Sequence, residues 1–218
     1  MKFTLLRDTP LGKLTVYSAL VLILGGCAGG PRKPPDAQAE AATRGVNAPR
    51  NDVTVPEKNI ALDVDVIADF DAAMKYLEAG EYAKGTDLLK KVTQRAPEHA
   101  VPHINLAMAY QKMGKLAEAE ESIKKALELE PDHPVANTEY GVICRKTGRF
   151  AEAREVYERT LKRYPAFLPA RKNLGVLCDI YLRDLECALT HYRLYSAAVP
   201  DNEQVRIWIA DLEQRRAR

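Results

Sequence analysis

Four prolines recur at a nearly constant interval. Pro97, Pro131, Pro165 and Pro200 stand 34, 34 and 35 residues apart. A period in the range of about 20–50 residues implies stacked supersecondary units, each of which buries its apolar face on its neighbours. The question such a chain poses is what the stack holds, and where.

Counting back from each proline, residue types repeat. Five residues before stand Val92, Ala126, Thr160 and Tyr195; eight before, Leu89, Ile123, Tyr157 and Tyr192. Twelve before stand Gly85, Ala119, Ala153 and Ala188. Twenty-four before, or twenty-five in the last unit, stand Ala73, Ala107, Gly141 and Gly175. Gly80, Gly114 and Gly148 precede three of the prolines by seventeen. Glycine after an apolar run marks a helix C-cap, and proline ends a helix or opens the next. Small residues let two backbones approach closely, and larger ones beside them fill the space between hairpins. The unit is helix, turn, helix, with helices of about 12–14 residues.

These stations resemble the tetratricopeptide repeat (TPR), with small residues at positions 8, 20 and 27 and proline at 32. The clearest copy is Ala100–His133, with Leu106, Ala107, Tyr110, Gly114, Ala119, Ile123, Ala126 and Pro131. The resemblance implies an all-α solenoid of four repeats over 66–99, 100–133, 134–167 and 168–202. Gly85 should loosen the second helix of repeat one by roughly 1 kcal/mol. Repeat four carries an extra residue near Tyr181–Asp184, where the turn glycine is missing. After Pro200, Val205, Trp208, Ile209 and Leu212 form one apolar helical stripe. The segment 203–218 therefore reads as a capping helix with a polar tail. Trp208, the only tryptophan, reads as a cap residue rather than a binding one.

The other end has a different composition. Lys2, Arg7 and Lys13 precede the apolar run Leu14–Leu24, too short for a bilayer span of about 20 residues. A basic start and a short apolar core indicate a secretory leader. It ends in Leu24-Gly25-Gly26-Cys27, which resembles a bacterial lipobox. That resemblance implies cleavage after residue 26 and acyl chains, palmitate among them, on Cys27, with no other cofactor. The alternative is an ordinary leader with an incidental cysteine. Ala28 after the lipidated cysteine implies the outer membrane, facing the periplasm. Residues 27–59 are rich in Ala, Pro, Gly and charge and read as a disordered tether. Its root-mean-square reach is about 30 Å and its full extension about 100 Å. Ile60, Leu62 and Val64 read as a clip onto the first repeat, which starts the solenoid segment 60–202.

Removing residues 1–26 takes three of the 32 basic and one of the 30 acidic residues, leaving 29 of each. A neutral chain without a basic arm does not suggest nucleic acid. Cys178 and Cys187 flank the irregular turn and form a candidate disulfide. Cys144 reads as a small buried residue. His99, His103 and His133 fall near inter-repeat turns and His191 on a second helix, so they do not suggest a metal site. There is no phosphate loop, zinc spacing or nucleophile elbow, and no catalytic residue is assigned.

The TPR resemblance places the inner groove at positions 2, 5, 9, 12 and 13 of each first helix. On this chain it names Phe70, Met74, Leu77, Ile104, Met108, Gln111 and Lys112, then Thr138, Val142, Arg145, Lys146, Lys172, Val176 and Asp179. The first half is apolar with two methionines and the second half is basic. That suits a protein segment with an apolar part followed by acidic residues. Lys172 is followed by Val176, not the asparagine of a carboxylate clamp. The function implied is an outer-membrane lipoprotein scaffold or assembly factor for a pilus or secretin. The alternatives are an adaptor for cell-wall hydrolases or proteases and an accessory subunit of a TonB-type system.

Overall fold

The computed structural model describes residues 63–218. The leader, Cys27, the tether and two of the three clip residues, Ile60 and Leu62, lie outside the described residues. Among the described residues nine α-helical segments follow in order: α1 Val64–Glu78, α2 Tyr82–Arg95, α3 Ala100–Lys112, α4 Leu116–Leu129, α5 Pro134–Lys146, α6 Phe150–Arg163, α7 Leu168–Val176, α8 Leu185–Ala198 and α9 Glu203–Arg216. A π-helical stretch, Leu177–Leu182, continues α7. Each timing proline stands two residues beyond a second helix, after Arg95, Leu129, Arg163 and Ala198. The described residues form four successive hairpins and a single last helix, each packed on the next.

Turn chemistry explains three of the hairpins. Gly80, Gly114 and Gly148 have φ of 78°, 74° and 81°. A β-carbon on any of them would meet nothing within 4 Å, so the requirement is backbone conformation alone. The next residue closes each turn onto the first helix. Glu81 N–H donates to Tyr76 O, Lys115 N–H to Tyr110 O and Arg149 N–H to Cys144 O, at 2.8–2.9 Å.

Repeat four solves the same problem with one more residue. Arg183 takes the left-handed conformation, φ 55°, in place of glycine. Asp184 N–H donates to Cys178 O at 2.8 Å. That bond spans six residues where the other three span five. The sequence places the extra residue in the turn. The structure stores it one step earlier, as the π-helical winding of Leu177–Leu182. A disulfide joins Cys178 to Cys187 across this stretch, with Cα atoms 5.8 Å apart.

Facing positions of each hairpin match in size. Ala73 and Leu89, and Ala107 and Ile123, are fully buried in repeats one and two. In repeats three and four the first helix carries Gly141 or Gly175 and the second carries Tyr157 or Tyr192. A β-carbon on Gly175 would stand 2.6 Å from Tyr192 Cδ1, so the glycine makes room for the ring. Gly85 also has a packing reason. A β-carbon there would stand 2.9 Å from Leu77 Cγ and 3.3 Å from Ala73 O, so its helix gains close approach for the propensity it loses.

Helix α9 closes the stack. Val205 and Leu212 are fully buried, and Trp208 lies 5.2 Å from the Tyr192 ring. Asn202 caps it by accepting from Val205 N–H at 3.1 Å. Val64, the described member of the clip trio, is 78% exposed, so its side chain is not seated on the described part of repeat one.

Candidate functional site: the face of the first helices

Apart from Leu77, which is half-buried and packed on the interior cluster, the candidate groove residues separate into two groups. Met108 is 38% exposed and Lys112 is exposed, while Phe70, Met74, Val142, Lys146 and Lys172 are half-buried. These seven are accessible. Ile67 on the same stripe of α1 is 45% exposed and extends the apolar part of the face. Ile104, Arg145 and Val176 are buried, and with them Gln111, Thr138 and Asp179. Ile104 and Val176 belong to the interior clusters. Contrary to the expectation from repeat position, Ile104, Val176 and Arg145 do not line a binding surface: they hold neighbouring helices together.

The buried polar residues make a series of links between repeats. Gln111 Nε2 donates to Glu139 Oε2 at 2.7 Å, from α3 to α5. Arg145 Nη1 donates to the Tyr181 hydroxyl at 3.2 Å, and its guanidinium lies 5.5 Å from that ring's centroid. Tyr181 in turn packs on Phe150 at 4.9 Å. Arg215 Nη1 donates to Asp179 Oδ1 at 2.8 Å, tying α9 to the π-helical stretch. Gln111, Arg145 and Asp179 occupy the same position of three successive first helices, and each reaches into the next unit. The sequence does carry a signal for two of these links, since Arg145 to Tyr181 and Asp179 to Arg215 both span 36 residues. Reading each repeat alone hides it.

Electrostatics follow from this packing. Burial pushes the Glu139 carboxyl above its ordinary value, and the Gln111 bond with nearby Lys146, Lys112 and Arg145 offsets this only in part. Burial lowers the Lys172 ammonium. That ammonium lies 5.8 Å from the Tyr195 ring and 5.9 Å from Trp208, so two aromatic faces border it. The accessible face thus runs from an apolar strip, Ile67, Phe70, Met74 and Met108, to a basic end at Lys112, Lys146 and Lys172. The geometry offers contact surface and positive charge.

Two of the histidines serve local structure. His133 Nδ1 accepts from Ala136 N–H at 3.3 Å as the cap of α5, and His103 Nε2 lies 3.3 Å from Pro97 O. Among the described residues no group of three His, Cys, Asp or Glu side chains could hold a metal ion. Cys144 is buried and free. Burial raises its thiol to about 11, which makes it unreactive at neutral pH.

The tetratricopeptide-repeat family profile matches residues 104–166, and a second profile of the same repeat matches 76–125. No curated protein sequence matches the chain. Among solved structures, one described as the functional characterization of Pseudomonas aeruginosa PilF superposes with TM-score 0.64. It is 21% identical, over 70% of this chain and 69% of that one. MamA from Desulfovibrio magneticus RS-1 superposes with TM-score 0.63 and 19% identity, over 72% of this chain and 88% of that one. The first TPR of Spaghetti (RPAP3), bound to the HSP90 peptide SRMEEVD, gives TM-score 0.51. It is 26% identical, over 55% of this chain and 96% of that one.

Proposed function

Because this chain is a tetratricopeptide-repeat protein, we propose that it is a lipid-anchored docking scaffold of the bacterial envelope. In this reading its first-helix face grips a segment of a partner protein. The observation that carries the proposal is the gradient along that face, from Met74 and Met108 to Lys112, Lys146 and Lys172, all at least partly accessible. Methionine side chains adapt to varied apolar shapes, and the lysines set polarity and register. The fitting partner is a helical or extended segment with aliphatic residues followed by Asp or Glu.

The envelope location rests on the sequence of residues 1–28. Acylation of Cys27 would hold the repeats at the outer membrane, facing the periplasm, through multiple acyl chains that together give stable anchoring. Assembly of a pilus or secretin is the specific role favoured, since the PilF structure shares the fold over most of both chains. An adaptor for cell-wall hydrolases or proteases would use the same face.

Two substitutions test the two halves of the proposal. Cys27→Ala should leave the protein unprocessed or soluble; membrane fractionation with bound lipid would refute the anchor. Met108→Glu with Lys146→Glu should abolish capture of the native partner from envelope extracts, with helical circular dichroism unchanged. Undiminished capture would move the binding surface elsewhere.

A further inference from the structure

The π-helical stretch Leu177–Leu182 is the one described irregularity of an otherwise repetitive fold, and three separate contacts converge on it. Cys178 is bonded to Cys187 of α8. Asp179 holds Arg215 of α9 at 2.8 Å. Tyr181 meets Arg145 of α5 and Phe150 of α6. A π turn is an α-helix with one residue inserted, and it persists where surrounding contacts favour it. Rewinding it to α would turn the residues beyond the insertion by about 100°, the angle per residue of an α-helix. Asp179 would then leave Arg215, and Tyr181 would leave Arg145. An α winding would thus be a second, discrete arrangement of the same stretch.

We propose that the Cys178–Cys187 bridge is a redox latch, which holds the π winding when oxidised and releases it, with helix α9, when reduced. Cys187 is half-buried and Cys178 is fully buried, so attack falls on the Cys187 sulfur. One thiolate of a dithiol bonds to Cys187 Sγ, and the Cys178 sulfur leaves with the bonding pair and takes up a proton. The second thiolate of the reductant then displaces Cys187. The protein gains two electrons and two protons as two thiols, and the reductant ends as a cyclic disulfide. With the latch open, Asp179 no longer retains Arg215. Helix α9 loosens, and Trp208 leaves its place beside Tyr192 and Lys172. The basic end of the first-helix face widens as a result. Redox state would thereby set how much of that face a partner meets.

The chain carries a built-in reporter, since Trp208 is its only tryptophan. Full-length protein would be compared oxidised, after dithiothreitol, and as Cys178→Ala/Cys187→Ala. Reduction should shift Trp208 emission to the red and raise acrylamide quenching severalfold, while far-UV circular dichroism keeps its helical amplitude. The double variant should match the reduced protein and ignore dithiothreitol. Arg215→Ala should show the high quenching while still oxidised, with little further rise on reduction. Equal quenching in oxidised and reduced protein would overturn the latch. So would loss of the helical signal together with the tryptophan change, because the bridge would then support the whole fold. A full dithiothreitol response in Arg215→Ala would overturn the route through Asp179.

Discussion

The ring of Tyr157 occupies the space where a β-carbon on Gly141 would sit: such an atom would lie 2.7 Å from Cζ and 2.9 Å from Cδ1. Both residues are fully enclosed in the third hairpin. Gly141→Ala therefore adds a methyl group to a filled site. Overpacking of that kind costs about 1–3 kcal/mol, against roughly 1 kcal/mol gained in helix propensity. A net loss of stability in urea denaturation is the expected result. Adding Tyr157→Ile should restore most of it, since repeat two pairs Ala107 with Ile123 at the same positions. Equal stability of Gly141→Ala and wild type would show that the ring is free to move.

Glu120 gives the fold an acid-sensitive joint between repeats two and three. Arg149 donates to both of its oxygens, at 3.0 and 2.6 Å, and Lys124 lies 2.7 Å away. Burial alone would raise this carboxyl, but the bonds from Lys124 and Arg149 outweigh it and hold it below its ordinary value. Its contribution is therefore present above the unfolded carboxylate value, near 4.5, and is lost as pH falls through the lower folded value. Glu120→Gln should destabilise the protein at neutral pH and flatten the acid limb of the stability–pH curve. Parallel curves for variant and wild type would contradict this.

Glu139 should behave with the opposite sign. Its folded value lies above the ordinary one, so its favourable contribution is present below about 4.5 and is lost as pH rises through the raised folded value. Glu139→Gln keeps an oxygen to accept from Gln111 and removes the charge. The variant should match wild type in acid and exceed it at neutral pH in thermal denaturation. A variant less stable than wild type at neutral pH would show that the charge is needed.

The face of the first helices contains both structural and accessible cations, and substitution separates them. Arg145 is 6% exposed and bonded to Tyr181. Arg145→Glu should therefore lower stability severely, because it buries a carboxylate where a guanidinium was. Lys146→Glu, on a half-buried neighbour whose charge lies near Glu139, should cost far less stability than Arg145→Glu and weaken partner capture. Equal melting temperatures for the two variants would contradict the assignment.

The prolines and glycines make most of the fold legible in the sequence. Pro97, Pro131, Pro165 and Pro200 set the phase. Gly80, Gly114 and Gly148 marked the turns because only the left-handed backbone closes them in so few residues. Gly85 read as a weakness, since propensity is visible in sequence and the proximity of Leu77 is not. The extra residue of repeat four was visible as a count, but not its location. Whether a helix or its turn absorbs an insertion depends on contacts such as Asp179 with Arg215 and Tyr181 with Arg145. The same contacts explain why Arg145 looked available. Repeat position places it on the inner face, and the Tyr181 side chain reaches it from the next repeat. Ile104 and Val176 depart from the expectation for a simpler reason: position fixes the direction of a side chain, while burial depends on the bulk of its neighbours.

Site-specific photo-crosslinking tests the scaffold proposal most directly. A photoreactive amino acid would replace Met108 on the first-helix face, or Glu155, an exposed residue on the second helix of repeat three. Irradiation of intact cells should yield a discrete protein adduct from position 108, lost on adding Lys146→Glu, and none from position 155. Adducts from position 155 with none from position 108 would contradict a docking site on the first-helix face.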